Sequence, residues 1–166
     1  MSDVQAERRR TITWEDPTAA VQKGKTMSGI EYLRALASGE LPSPPIANLI
    51  GMWMVEVDEG RVVFAAKPAE YQYNPLGTVH GGIAATLLDS AMGCAVQSML
   101  PAGTGYTTLE LKTNYLRAMT SRTGVVYCEG KIIYIGGRVA TAEGRLTDAS
   151  GKLYAHGTTT CIILRP

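Results

Sequence analysis

A single charged side chain interrupts the apolar run from Gly82 to Met99, GIAATLLDSAMGCAVQSM, and it is Asp89. Asp is a poor mid-helix residue. Enclosing its ionised form costs several kcal/mol unless a partner compensates. A carboxylate placed there is a candidate general base or nucleophile. The plainer alternative is an Asp satisfied by nearby backbone or a small solvent gap, and the helix alone leaves both open. Just upstream stand Asn74, Gly77, His80, Gly81 and Gly82. Paired glycines let another molecule approach the backbone closely. The first turn of a helix carries unpaired N–H groups with positive partial charge, suited to a developing oxyanion. A tight loop-to-helix turn with a structural histidine would use the same residues.

Spacing constrains how these groups could cooperate. Seven residues separate Gly82 from Asp89, roughly 10 Å along a helix. That is too far for both to act on one carbonyl carbon within one chain. If they cooperate, the helix start of one subunit must face Asp89 of another, and a two-fold dimer supplies two such sites.

The elements that must hold these residues follow from periodicity and turn chemistry. Residues 81 to about 100 read as one long helix, apolar or small on nearly every face, hence enclosed by protein. Residues 28–38 read as a shorter helix, with Ser28 and Glu31 spaced as a capping box and Gly39 past its end. The prolines at 42, 44 and 45 read as helix breakers. Residues 52–58 and 61–67 alternate as two strands around an Asp58-Glu59-Gly60 turn, and 68–78 read as loop. Four more β-rich segments cover 106–115, 124–135, 138–147 and 152–164. The order predicts an α+β fold, an antiparallel sheet packed on one central helix. Residues 1–26 are polar and read as an N-terminal extension, with Arg8, Arg9 and Arg10 as a solvated terminus. Residues 27–166 form the domain.

Composition narrows the classes. A 166-residue chain fits one domain, and 45% hydrophobic residues suffice for a real core. A net charge of +1 gives no basic field for nucleic acid. No uninterrupted apolar run is long enough for a membrane helix, and the first residues lack an apolar signal core, so a cytoplasmic protein is the default expectation. Cys94, Cys128 and Cys161 are odd in number and far apart, against a disulfide framework or zinc site. Each is expected as a buried small hydrophobe. His80, Asp89 and His156 are not at metal-ligand spacing.

With these residues in view, the run Asn74-Pro75-Leu76-Gly77-Thr78-Val79-His80-Gly81-Gly82, with Asp89 following, resembles the hot-dog thioesterases of the phenylacetate-pathway (PaaI-type) group. Residues 108–117, 136–143 and 151–160 look like that family's later strands. A proline common in those relatives is replaced here by Met119, at a turn. The resemblance implies a hot-dog fold, an antiparallel sheet wrapped around one long helix, and hydrolysis of an acyl-CoA thioester. It implies Asp89 as nucleophile or base, and the Gly81 amide of the facing subunit as the group polarising the carbonyl. Asn74 would help place carbonyl or water, and His80 would lie near the leaving sulfur. Thr108 would orient water, with Thr107 the adjacent alternative because a one-residue shift flips a strand side chain. Gly82, Gly137 and Arg138 are candidates for contacting substrate and its coenzyme A tail. No cofactor is implied beyond coenzyme A as part of the substrate, and the assembly is a homodimer or dimer of dimers. Two rivals stay open: a hot-dog acyl-CoA hydratase or dehydratase, and a non-catalytic acyl-CoA-binding protein. The first pairs Asp with a later His on the same helix, and no His follows Asp89 there.

Overall fold

In a computed structural model that describes residues 7–165, three short helices precede the sheet: α1 (Pro17–Gly24), α2 (Gly29–Ser38) and α3 (Pro45–Ile50). Strands β1 (Met52–Asp58) and β2 (Arg61–Ala66) follow, then a 3-10 turn at Glu70–Gln72 and the 17-residue helix α4 (Gly81–Gln97). Strands β3 (Gly105–Tyr115), β4 (Val126–Ile135), β5 (Val139–Asp148) and β6 (Leu153–Leu164) complete the chain. All neighbouring strands are antiparallel, in the order β1-β2-β4-β5-β6-β3. The sheet wraps α4 as the resemblance implies.

The capping box of α2 is present: Ser28 Oγ accepts from Glu31 N, Glu31 Oε2 accepts from Ser28 N at 2.9 Å, and Gly39 closes the helix at φ 79°. Two helices escape the sequence reading. Residues 17–24 fall in the stretch taken as an extension, and 45–50 follow the supposed breakers. Pro17 and Pro45 each occupy the first position of a helix, where the missing N–H was an orphan anyway. Pro45, read from sequence as a breaker, is therefore the first residue of a helix.

Leu87, Leu88, Ala91, Met92 and Val96 of α4 are buried in one cluster with strand residues including Val62, Val126, Ala142 and Leu146. The helix sits close because Gly130 and Gly144 face each other across β4 and β5 beneath it. A Cβ on Gly130 would lie 2.2 Å from the Ala91 carbonyl group. α4 is not enclosed on every side, contrary to expectation. Gly82 is exposed, and Thr86, Asp89, Ser90, Cys94 and Gln97 are half-buried along one side. The long edge strand β3 runs beside that opening, with Leu109 60% and Tyr115 57% exposed.

The N-terminal segment is tied down where a solvated arginine cluster was expected. Arg10 donates to the Asn48 and Leu49 carbonyls, each at 2.8 Å, and lies 3.9 Å over the Tyr71 ring. Asn48 Nδ2 donates back to Thr13 O, and Arg8 pairs with Glu70. Among the described residues no helix is long and apolar enough to cross a membrane.

Candidate active site

Asp89 projects from the middle of α4, half-buried. Thr108 Oγ1 on β3 donates to its Oδ1 at 2.8 Å. Thr107 is exposed on the other face of the strand, so of the two threonines it is Thr108 that faces Asp89. A bulge follows at once: Thr108 pairs with Cys161 and Glu110 with Thr160, leaving Leu109 as the extra residue. Bulges of this kind re-aim side chains beside functional sites. No cation pairs with Asp89 among the described residues. It lines a cavity of about 330 Å³ whose other walls are mostly apolar, with Leu36, Ile46, Trp53, Met54 and Phe64 among them. Carboxylate oxygens in such a place have a single protein donor and are open to a water or a carbonyl carbon.

The helix start forms a separate cavity of about 340 Å³, lined by His80, Gly81, Tyr115, Arg117 and Met119 among others. His80 is the N-cap of α4, and its Nδ1 accepts from Gly82 N at 2.8 Å. Its Nε2 is thereby left to carry the ring proton in the neutral form. The Gly82 amide is consumed by this cap, which removes it as a donor to a ligand. The Gly81 amide has no partner among the described residues and is the open donor of the first turn. A Cβ on Gly81 would meet the Tyr115 ring at 3.3 Å, so the backbone is approached closely here.

Asn74 builds the loop that delivers His80. Its Oδ1 accepts from Leu76 N at 2.9 Å and from Thr78 N and Oγ1 at 3.3 Å each. Gly77 takes φ 77°, the left-handed region such a turn requires. Gly137 and Arg138 are exposed at the β4–β5 turn, and Arg138 makes no salt bridge with the described residues.

The chain thus joins Asp89 to Thr108, and His80 to the two glycines and the Asn74 loop, but it does not join the two groups. The two cavities share no lining residue. Eight residues of helix, roughly 12 Å, separate Gly81 from Asp89. Cys128 and Cys161 are buried as expected, whereas Cys94 is half-buried at the wall of the Asp89 cavity. Burial, and then the Asp89 charge, push the Cys94 thiol up to about 12, so it stays protonated and unreactive at neutral pH. Sequence reasoning passed over Tyr106, Ser90 and the α3 residues Ile46 and Ala47, all of which line that cavity. Tyr106 was findable, since it lies two residues before Thr108 on the same face of a strand.

Comparison with known proteins gives one consistent direction. The family model described as the thioesterase superfamily matches residues 76–155, a span that holds His80, Gly81, Asp89 and Thr108. A solved protein described as from the thioesterase superfamily is 30% identical, over 81% of this chain and 97% of that one, with a TM-score of 0.66. A phenylacetic acid degradation-related protein from Ralstonia eutropha JMP134 is 28% identical over 79% of this chain and 98% of that one, with a TM-score of 0.72. A Halobacterium salinarum protein whose name assigns it provisionally to the esterases is 54% identical over 43 residues, which span 25% of this chain and only 28% of that relative.

Proposed function

The chain belongs to the thioesterase superfamily, and from that premise we propose that it hydrolyses acyl-coenzyme A thioesters, with Asp89 as base or nucleophile. One observation carries this reading. Among the described residues, a carboxylate with a single hydroxyl partner opens into an apolar cavity, on the same helix whose first amide has no partner.

The helix spacing calls for two chains. In the proposed homodimer the β3 edges meet across a two-fold axis, and α4 of one protomer runs antiparallel to α4 of the other. The Gly81 amide of one subunit then polarises the thioester carbonyl while Asp89 of the other acts on its carbon. In the general-base route Asp89 takes a proton from water held by Thr108, and the water oxygen bonds to the carbonyl carbon. In the direct route the carboxylate bonds first and water then cleaves the anhydride. In both the C–S bond breaks, its electron pair leaves on sulfur, and coenzyme A departs as the thiol after gaining a proton. His80, at the helix start, lies near the departing sulfur. Asn74 acts by fixing the loop before it, and Gly137 with Arg138 meets the coenzyme A tail. The chemistry draws on no cofactor.

The test is thiol release from a panel of acyl-CoAs, with and without chelator. Asp89→Asn is expected to lower kcat about 10²- to 10⁴-fold with the fold intact by circular dichroism. Undiminished turnover in the variant would remove Asp89 from the mechanism. Loss of enoyl absorbance without thiol release would point to the hydratase.

A further inference from the structure

The geometry points to Tyr106 as the wall that sets how far an acyl group can run from Asp89. This rests on the thioester-hydrolase reading above and deepens it.

Beside the Asp89 cavity lies a larger groove of about 580 Å³, reaching Val21, Tyr32 and Leu164, with the exposed Lys25 and Arg165 among its lining. The two spaces have five lining residues in common: Leu33, Leu36, Pro44, Cys94 and Tyr106. Tyr106 is the one aromatic ring among these five. It reaches from β3 to α4 and sets its hydroxyl end against the helix at Gly93. A Cβ on Gly93 would stand 2.3 Å from the Tyr106 hydroxyl and 2.9 Å from its Cε2. Only glycine leaves room for the ring at that point. No hydrogen bond of the hydroxyl pins the ring among the described residues, so packing against Gly93 holds it.

The same two elements fix both ends of the space. Asp89 and Thr108 meet at the reacting end. Gly93 and Tyr106 meet one helical turn further, about 6 Å along α4. Tyr106 and Thr108 lie on the same face of β3 because side chains repeat every second residue. Cys94, protonated at neutral pH, keeps the partition uncharged. The enclosed space therefore suits a short acyl chain or a single ring, uncharged at its far end. The volume beyond Tyr106 would admit a longer chain were the ring absent.

The experiment measures kcat/KM by thiol release along a series of saturated straight-chain acyl-CoAs, and Kd for the same series on Asp89→Asn protein by calorimetry. Each methylene taken into an apolar space is worth about fourfold. The wild type should gain by that factor per methylene and then stop gaining once the chain meets the ring. Tyr106→Val should move that limit to longer chains and raise the long-to-short ratio at least tenfold, roughly two methylenes' worth. Cys94→Leu fills the shared partition from the helix side and should move the limit to shorter chains, which keeps the test decisive should Tyr106→Val not fold. An unmoved limit in folded variants, in kcat/KM and in Kd, overturns the assignment of Tyr106. Failure of the wild type to release thiol from any acyl-CoA sinks the hydrolase reading instead, and the Kd series then still decides the wall.

Discussion

Asp89 and Thr108 lie nineteen residues apart in sequence and 2.8 Å apart in space, and the hydroxyl leaves one carboxylate oxygen without a donor among the described residues. The lone charge in an apolar helix was legible in sequence because desolvation makes such a residue costly wherever it lacks a purpose. The resemblance offered Thr108 or Thr107 for orienting water, and the bond from Thr108 to Asp89 was not legible, since strand register fixes which face a side chain takes. The fate of the two glycine amides was not legible at all. It depends on the His80 rotamer, which gives its Nδ1 to Gly82 and leaves Gly81 open. That asymmetry supports a pair of substitutions, because any Cβ at Gly81 meets the Tyr115 ring at 3.3 Å and the effect of bulk must be separated from loss of the amide. Proline at the first position of a helix removes the N–H without breaking the helix. His80, at φ −59° and ψ 136°, already has the extended backbone that a following proline demands. Gly81→Pro is therefore expected to lower kcat by about 10²- to 10³-fold beyond Gly81→Ala, which adds the same Cβ and keeps the N–H, as for loss of one oxyanion donor. Steady-state kinetics beside a thermal melt would check it, and wild-type kcat would exclude the Gly81 amide from catalysis.

Among the elements, α4 owes its position to what the sheet lacks beneath it. Gly130 and Gly144 clear a trough, and a methyl group at 130 would press on the Ala91 carbonyl group, which is backbone and cannot swing aside. Gly130→Ala is expected to cost about 1–3 kcal/mol, as overpacking does, and to lower Tm by several degrees. An unchanged denaturation midpoint would show that the helix can lift without penalty. The strands were legible because alternation and turn residues mark them locally, and β1 spans residues 52–58 as the sequence predicts. α1 and α3 were not legible, because a proline signals both the end and the start of a helix, and the choice is made by packing. Ala47 and Ile50 of α3 are buried, a tertiary fact with no local signature in six residues.

For the whole molecule, the two cavities share no lining residue, so the proposed function makes assembly part of the chemistry. The proposed dimer predicts that two dead variants can repair each other. Asp89→Asn retains the Gly81 amide, and Gly81→Pro retains the carboxylate. A mixed dimer holds one site with both defects and one intact site, so random re-association of equal amounts should restore about a quarter of wild-type activity. Mixing after dissociation and refolding, followed by thiol release, reads this directly. Activity no higher than that of the separate variants would place the whole site within one protomer. At the same scale, Arg10 grips the carboxyl-terminal carbonyls of α3 with its guanidinium edge and the Tyr71 ring with its face. Ile46 and Ala47 of α3 line the Asp89 cavity, while Tyr71 sits in the turn that leads toward His80. One side chain from the start of the chain is thus a rivet through the framework behind both half-sites. Arg10→Ala should quicken amide exchange around residues 45–50 and 70–80 together, so that a wall of the Asp89 cavity and the loop leading to His80 slacken as one.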